Sequence, residues 1–158
     1  MTIDRSTPNL GTLFQELILE HYKRPRNRGE LEGANAEAHK LNPSCGDEIR
    51  LQLRLEDGRI AGARFTGDGC SISQASVSMM TQLLKEKTPA EARALADRFK
   101  ALMHGDAEAA RDRALGDLRA LAGVSKFPVR VRCAMLAWDA LAEALKAADG
   151  EADPATAP

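Results

Sequence analysis

The sequence predicts an α+β domain: a small antiparallel β-sheet of about three strands together with several α-helices. Ile49, Leu51, Leu53 and Leu55 alternate with Arg50, Gln52, Arg54 and Glu56, the period of a strand with one wet face. Asp57-Gly58 then marks a two-residue hairpin into a returning strand over residues 59–66. Apolar residues recur at helical spacing before and after this hairpin, and strands grouped ahead of a run of helices belong to the α+β class. At 158 residues and 44% hydrophobic content, the chain has the size of one domain and enough apolar surface for an ordinary core.

The elements follow in order. Residues 1–9 are expected to be disordered. Leu10, Leu13, Phe14, Leu17 and Ile18 form the apolar stripe of a helix over 10–23, with Asn9 as N-cap and Pro25 just beyond its end. Lys23-Arg24-Pro25-Arg26-Asn27-Arg28 reads either as cations at a helix C-terminus or as a partner patch. A short strand over 36–41 delivers the chain to Asn42-Pro43-Ser44-Cys45-Gly46-Asp47. After the hairpin, Ile72, Ala75, Met79 and Leu83 predict a helix over 71–86, with Gln74 and Gln82 among its polar positions. Thr88-Pro89-Ala90-Glu91 combines an N-cap, a first-turn proline and an acidic third residue, so a helix runs from there to about 102. A short helix over 106–115, another turn or two over 117–122 and a loop over 123–128 lead into a last helix over 129–148, with Cys133 on its inward stripe. The tail, 149–158, is expected to be disordered. The single domain is therefore placed at 10–148.

Composition excludes several function classes. Lys+Arg 22 against Asp+Glu 23 gives a net charge of -1, with no basic field to attract nucleic acid or anionic lipid. No window approaches the 18 or so apolar residues of a membrane span, and no signal sequence is present, so the protein is expected to be cytoplasmic. An odd number of widely spaced cysteines in such a chain argues against a disulfide framework.

The three thiols, Cys45, Cys70 and Cys133, then become the candidate chemistry. Cys45 and Asp47 share a polar turn, so Cys45 is a poor core residue. It is the thiol most exposed and most easily released. The hairpin puts Cys70 at the same end of the sheet as that turn. Cys70 and Cys133 each fall near a predicted helix start, where partial positive charge favours thiolate. Three thiols and a carboxylate meet the coordination number of zinc, and a thiolate-rich set suits zinc or an iron-sulfur cluster. On spacing alone, Cys70 and Cys133 are equally readable as core fillers, because no C-x-x-C pair is present. His21, His39 and His104 are expected at surface or partly buried positions rather than as ligands, and Arg130 and Arg132 flank Cys133 on what reads as an exposed helix face.

Four stretches carry a resemblance. Glu20 to Asn27 (EHYKRPRN), Asn42 to Asp47 (NPSCGD), Gly69 to Ser76 (GCSISQAS) and Lys126 to Ala134 (KFPVRVRCA) resemble the IscU/NifU N-terminal superfamily of iron-sulfur cluster assembly proteins, and within it the SufU branch. The scaffold branch carries a histidine immediately before its third cysteine, where this chain has Arg132, and a Pro-Pro loop where it has 123–128. Residues 100–117 look like the SufU-branch insertion. The resemblance implies helices packed on a small antiparallel sheet and a zinc ion held by Cys45, Asp47, Cys70 and Cys133. It implies a zinc-dependent sulfurtransferase whose partner is a PLP-dependent, SufS-like cysteine desulfurase. A histidine of that partner takes the place of Cys45 on the zinc. Cys45, the catalytic residue, then accepts persulfide sulfur and passes it to downstream SUF scaffold proteins. The alternative implied by the wider superfamily is a scaffold that assembles an iron-sulfur cluster on the same ligands.

Overall fold

The computed structural model describes residues 10–152, with side chains from 11 to 148. The expectations for residues 1–9 and for 153–158 lie outside the described residues, as does the cap at Asn9. The elements run α1 (Leu10–Lys23), β1 (Ala36–Asn42), β2 (Asp47–Glu56), β3 (Arg59–Thr66), α2 (Ser71–Leu84), α3 (Pro89–Met103), a single turn α4 (Ala107–Ala110), a 3-10 stretch (Arg113–Lys126) and α5 (Pro128–Ala152).

The three strands form one antiparallel sheet in the order β1-β2-β3. Register sets Ala36, Leu53 and Ala63 in one cross-strand row and Ala38, Leu51 and Phe65 in the next. All six are buried, small residues beside large ones, on the face that receives the helices. The turn at Asp57 (φ 52°) and Gly58 (φ 75°) has the paired positive φ values that the Asp-Gly signal predicts. The opposite face is drier than the alternation suggests. Gln52 is buried there, accepting from the Leu31 amide at 2.9 Å and donating to Glu37 at 3.1 Å.

Helix α2 is the central element. Its residues from Ser73 to Met80 are all buried, polar ones included, because α1, α5, β3 and the 3-10 stretch surround it. Gln74, expected on a polar face, is enclosed with them. Ser76 Oγ donates to the Ala134 carbonyl (2.7 Å) and accepts from Trp138 Nε1 (3.3 Å), and Trp138 stacks on Phe99 at 5.0 Å. These contacts set α5 against α2 one residue from Cys133. Helix α3 begins with the full capping box foreseen at Thr88 and Glu91.

Three boundaries differ from expectation. Residues 106–115 make one turn rather than a longer helix, because Asp112 caps a new start and Gly116 (φ 51°) leaves helical geometry. The predicted loop at 123–128 is mostly 3-10 helix, and the last helix continues to residue 152, into the stretch expected to be disordered.

Candidate metal centre

The end of the sheet nearest the start of α2 collects the cysteines. Side chains on a strand alternate faces, so Asp47 lies on the same face as Ile49, Leu51 and Leu53, one step beyond the core. The turn 43–46 is closed by the Cys45 amide donating to the Asn42 carbonyl at 3.2 Å, and Gly46 takes a φ of 69°. On the other side, the loop after β3 folds over the start of β2: the Glu48 amide donates to Asp68 O at 2.8 Å, and Arg28 reaches Gly67 O at 2.8 Å. A methyl group on Gly67 would collide with the Glu48 carbonyl, so only glycine permits this approach. Cys70 is thereby placed at the N-cap of α2, and its amide donates to Asp47 Oδ1 at 2.9 Å. Cys133 arrives from the second turn of α5.

Cys45 is half-buried, Cys133 is fully buried and Asp47 is 1% exposed. One ligand atom from each of the three lies within 4.8 Å of the other two, with the Cys45 and Cys133 sulfurs 3.2 Å apart. That separation is far beyond a disulfide bond, and all three cysteines are free. The Cys70 thiol stands apart from this tightest cluster but within reach of Cys133. The Cys133 thiol is pushed well above its ordinary range, first by burial and then by the Cys45 thiol, the Asp47 carboxylate and Cys70. The lowered value expected from a helix start is not found, because Cys133 lies past the first turn, where that field has faded, and burial dominates.

The residues fit a metal ion. Asp47 Oδ1 is bonded, whereas the buried Oδ2 has no partner among the described residues, on a carboxylate that lies within 4.8 Å of two soft sulfur donors. A cation there would satisfy Oδ2 and would reverse the raised thiol pKa by holding the sulfurs as thiolates. Leu41, Phe127 and Val129, each about 60% exposed, stand in the segments leading into the Cys45 turn and into the start of α5. Their exposure was not readable from the sequence.

The histidines do not join the cluster. His21 is fully buried rather than superficial, its ring joined to Ser78 Oγ (2.7 Å) and Asp117 Oδ2 (2.9 Å). His39 pairs with Glu48 at the surface, at 2.6 Å. Within the basic run, Arg24 bonds Glu20, the Arg26 backbone amide donates to Ser78, and Arg28 donates to the Gly67 carbonyl.

Comparison with known proteins agrees with this geometry. The sequence pattern of the NifU-like N terminal domain matches residues 13–134. The chain belongs to that family. Among its relatives is the zinc-dependent sulfurtransferase SufU of Bacillus subtilis, 44% identical over 142 residues that cover 90% of this chain and 95% of that protein. The iron-sulfur cluster assembly scaffold protein IscU of Streptococcus pyogenes is 43% identical, with 87% and 85% covered. In solved structures, the family fold recurs in FiSufU of Fervidobacterium islandicum, with a TM-score of 0.75, 33% identity, and 82% and 94% covered.

Proposed function

We propose that this protein is a sulfur acceptor and carrier in iron-sulfur cluster biogenesis, with zinc held by Cys45, Asp47, Cys70 and Cys133. The observation that carries the reading is the buried Asp47 carboxylate, whose Oδ2 has no partner among the described residues, within 4.8 Å of the Cys45 and Cys133 sulfurs. The names of the SufU and IscU relatives support a role in cluster assembly, and the SufU name supports zinc. Bound zinc supplies charge, keeping crowded thiols deprotonated.

The chain's own residues divide the work. Asp47 is anchored by the Cys70 amide and Cys133 is sealed in the core, so neither can swing out. Cys45 and Cys70 are both half-buried, but Cys70 is fixed at the N-cap of α2 with its amide on Asp47, whereas Cys45 sits on a four-residue turn and can. Its thiolate attacks the outer sulfur of a persulfide on a PLP-dependent cysteine desulfurase. The new bond joins Cys45 Sγ to that sulfur, the donor's sulfur-sulfur bond breaks, and the desulfurase cysteine leaves as thiolate. Cys45 then carries a persulfide to downstream SUF proteins in a reducing cytoplasm.

The test is metal quantification with mass spectrometry of Cys45 after incubation with desulfurase and cysteine. We expect about one zinc per chain and an added sulfur on Cys45. Cys45→Ala should dock but no longer stimulate turnover. Stimulation at the wild-type level by Cys45→Ala would rule out the transfer. The second reading, a cluster scaffold, is favoured by the IscU relatives. It requires a brown reconstituted protein that hands an intact cluster to an apo-ferredoxin.

A further inference from the structure

Cys70 reaches the centre at the end of a loop with little stiffness of its own. It stands outside the tight cluster of Cys45, Asp47 and Cys133, and it follows Gly67-Asp68-Gly69, where two of three residues are glycine. Glycine gives a chain its widest conformational freedom, so such a loop is ordered by bonds made to it from elsewhere. Here the Glu48 amide donates to the Asp68 carbonyl at 2.8 Å, and the Cys70 amide donates to Asp47 Oδ1 at 2.9 Å. Both of those donors are backbone groups. A side chain adds to them: Arg28 Nη1, 39 residues before Gly67, donates to the Gly67 carbonyl at 2.8 Å.

Arg28 projects from a backbone that is bonded on both sides. Residues 27–29 run parallel to the end of β3, with the Phe65 amide donating to the Asn27 carbonyl at 3.0 Å and the Gly29 amide to the Phe65 carbonyl at 2.8 Å. Just before them, the Arg26 amide donates to Ser78 Oγ at 2.8 Å, and Ser78 is joined to the fully buried His21. The ion pair of Arg28 with Asp68 contributes little. Its atoms are 3.9 Å apart and the two side chains are 44% and 95% exposed, so solvent screens the charges. The bond to Gly67 is therefore the one that matters.

We infer that Arg28 is a positioning residue of the metal centre, which by holding Gly67 keeps Cys70 in place as a ligand. The inference rests on the metal reading above. It gives one member of the basic run a task that neither a helix-end charge nor a partner patch supplies. That task weighs most when Cys45 is withdrawn to carry sulfur, because Asp47, Cys70 and Cys133 must then keep the ion.

The experiment compares wild type with three variants. Arg28→Ala removes the side chain, and Arg28→Met keeps an apolar stem but no donor. Arg26→Ala removes a cation from the same run while keeping the backbone bond to Ser78. Zinc affinity is measured by chelator competition, the iodoacetamide reactivity of each cysteine by mass spectrometry on zinc-loaded protein, and the melting temperature without zinc. Losing a contact that orients a metal ligand lowers affinity about 10- to 100-fold, and Arg28 acts through the loop, so we expect the lower end of that range in both Arg28 variants. Alkylation of Cys70 should accelerate more than that of Cys45. Charge alone predicts the opposite sign, since removing a cation near a cation site strengthens binding. Arg26→Ala should accordingly bind zinc at least as well as wild type. The zinc-free melting temperatures of the Arg28 variants should stay near wild type, whereas a merely structural role would lower them along with affinity. If Arg28→Ala does not fold, Arg28→Met carries the comparison. Affinities within about two-fold of wild type, an equal loss in Arg26→Ala, or a zinc-free stability loss that accounts for the whole effect would overturn the inference while leaving the metal reading intact. If wild type itself takes up no zinc, the metal reading fails, and this inference fails with it.

Discussion

Substituting Gly69 with alanine tests how tightly the site is built. Gly69 has no left-handed φ, so an alanine backbone is unstrained there and only space is at issue. A methyl at this position would lie 2.5 Å from Asp47 Oδ1, 2.5 Å from Ser73 Oγ and 3.1 Å from Asp47 Cγ. Ordinary contacts begin at 3.4 Å, so each oxygen must retreat by about 0.9 Å. Ser73 is fully buried and bonded to the Cys70 carbonyl, so the carboxylate has to rotate. That rotation breaks the Cys70 amide bond to Oδ1 and shifts the carboxylate relative to the sulfurs. Losing a hydrogen bond to a charged group costs about 1.5–3 kcal/mol and overpacking about 1–3 kcal/mol. We expect a total of about 3–5 kcal/mol, which at this chain length lowers the melting temperature by about 6–20 °C. Zinc affinity should fall at least about 10-fold. Thermal unfolding by circular dichroism in chelator, with zinc competition alongside, measures both. Gly123→Ala is the control, since a methyl there meets nothing within 4 Å and its φ is ordinary. A Gly69→Ala protein that melts with wild type and binds zinc equally well would refute the steric argument.

Three further outcomes follow from the structure. His21→Ala removes a fully buried ring with two bonded nitrogens and should destabilise by about 3 kcal/mol; an unchanged urea midpoint would show that the Ser78–His21–Asp117 link does not contribute. Asp47→Asn keeps the oxygen that accepts from Cys70 but removes a buried negative charge from among the thiols. It should therefore melt no lower than wild type without metal, yet lose the zinc-induced gain, which is about 4 kcal/mol at a thousand-fold excess over Kd. Equal zinc-induced shifts in the two proteins would argue against Asp47 as a ligand. In acid, Asp112 is held below the ordinary carboxylate range first by the Ala114 amide and then by Arg98. The unfolded chain protonates first, so the stabilisation is full above pH of about 4 and is lost as pH falls through the lower folded value. Denaturant midpoints between pH 7 and pH 3 should therefore drop less in Asp112→Asn than in wild type, and parallel profiles would contradict this.

Much of this molecule was legible in order of sequence. The strand alternation, the Asp-Gly turn and the capping box are local codes, set by a few neighbouring residues, and they recur in the structure where they were expected. Cys45 and Asp47 were recognisable for the same reason, being two residues apart on one turn. The boundaries that moved, at 106–115 and 123–128, are short weak helices whose ends depend on Asp112, Gly116 and the packing around them rather than on a strong periodic signal.

What local patterning could not decide was which polar residues would be enclosed. His21, Gln52, Gln74 and Asn42 look like surface residues in the chain, and each is buried because an element distant in sequence covers it. Burial is a property of the whole packing arrangement, so it also decides the chemistry. It raises the Cys133 thiol, leaves Asp47 Oδ2 and Asn42 Nδ2 without partners among the described residues, and leaves Cys45 and Cys70 only half-buried. The sequence by itself determined the donors and the turn that pairs two of them. Only the tertiary structure, through the register of Asn42 with Asp47 and the docking of α5 on α2, brought Cys45, Asp47 and Cys133 within 4.8 Å of one another.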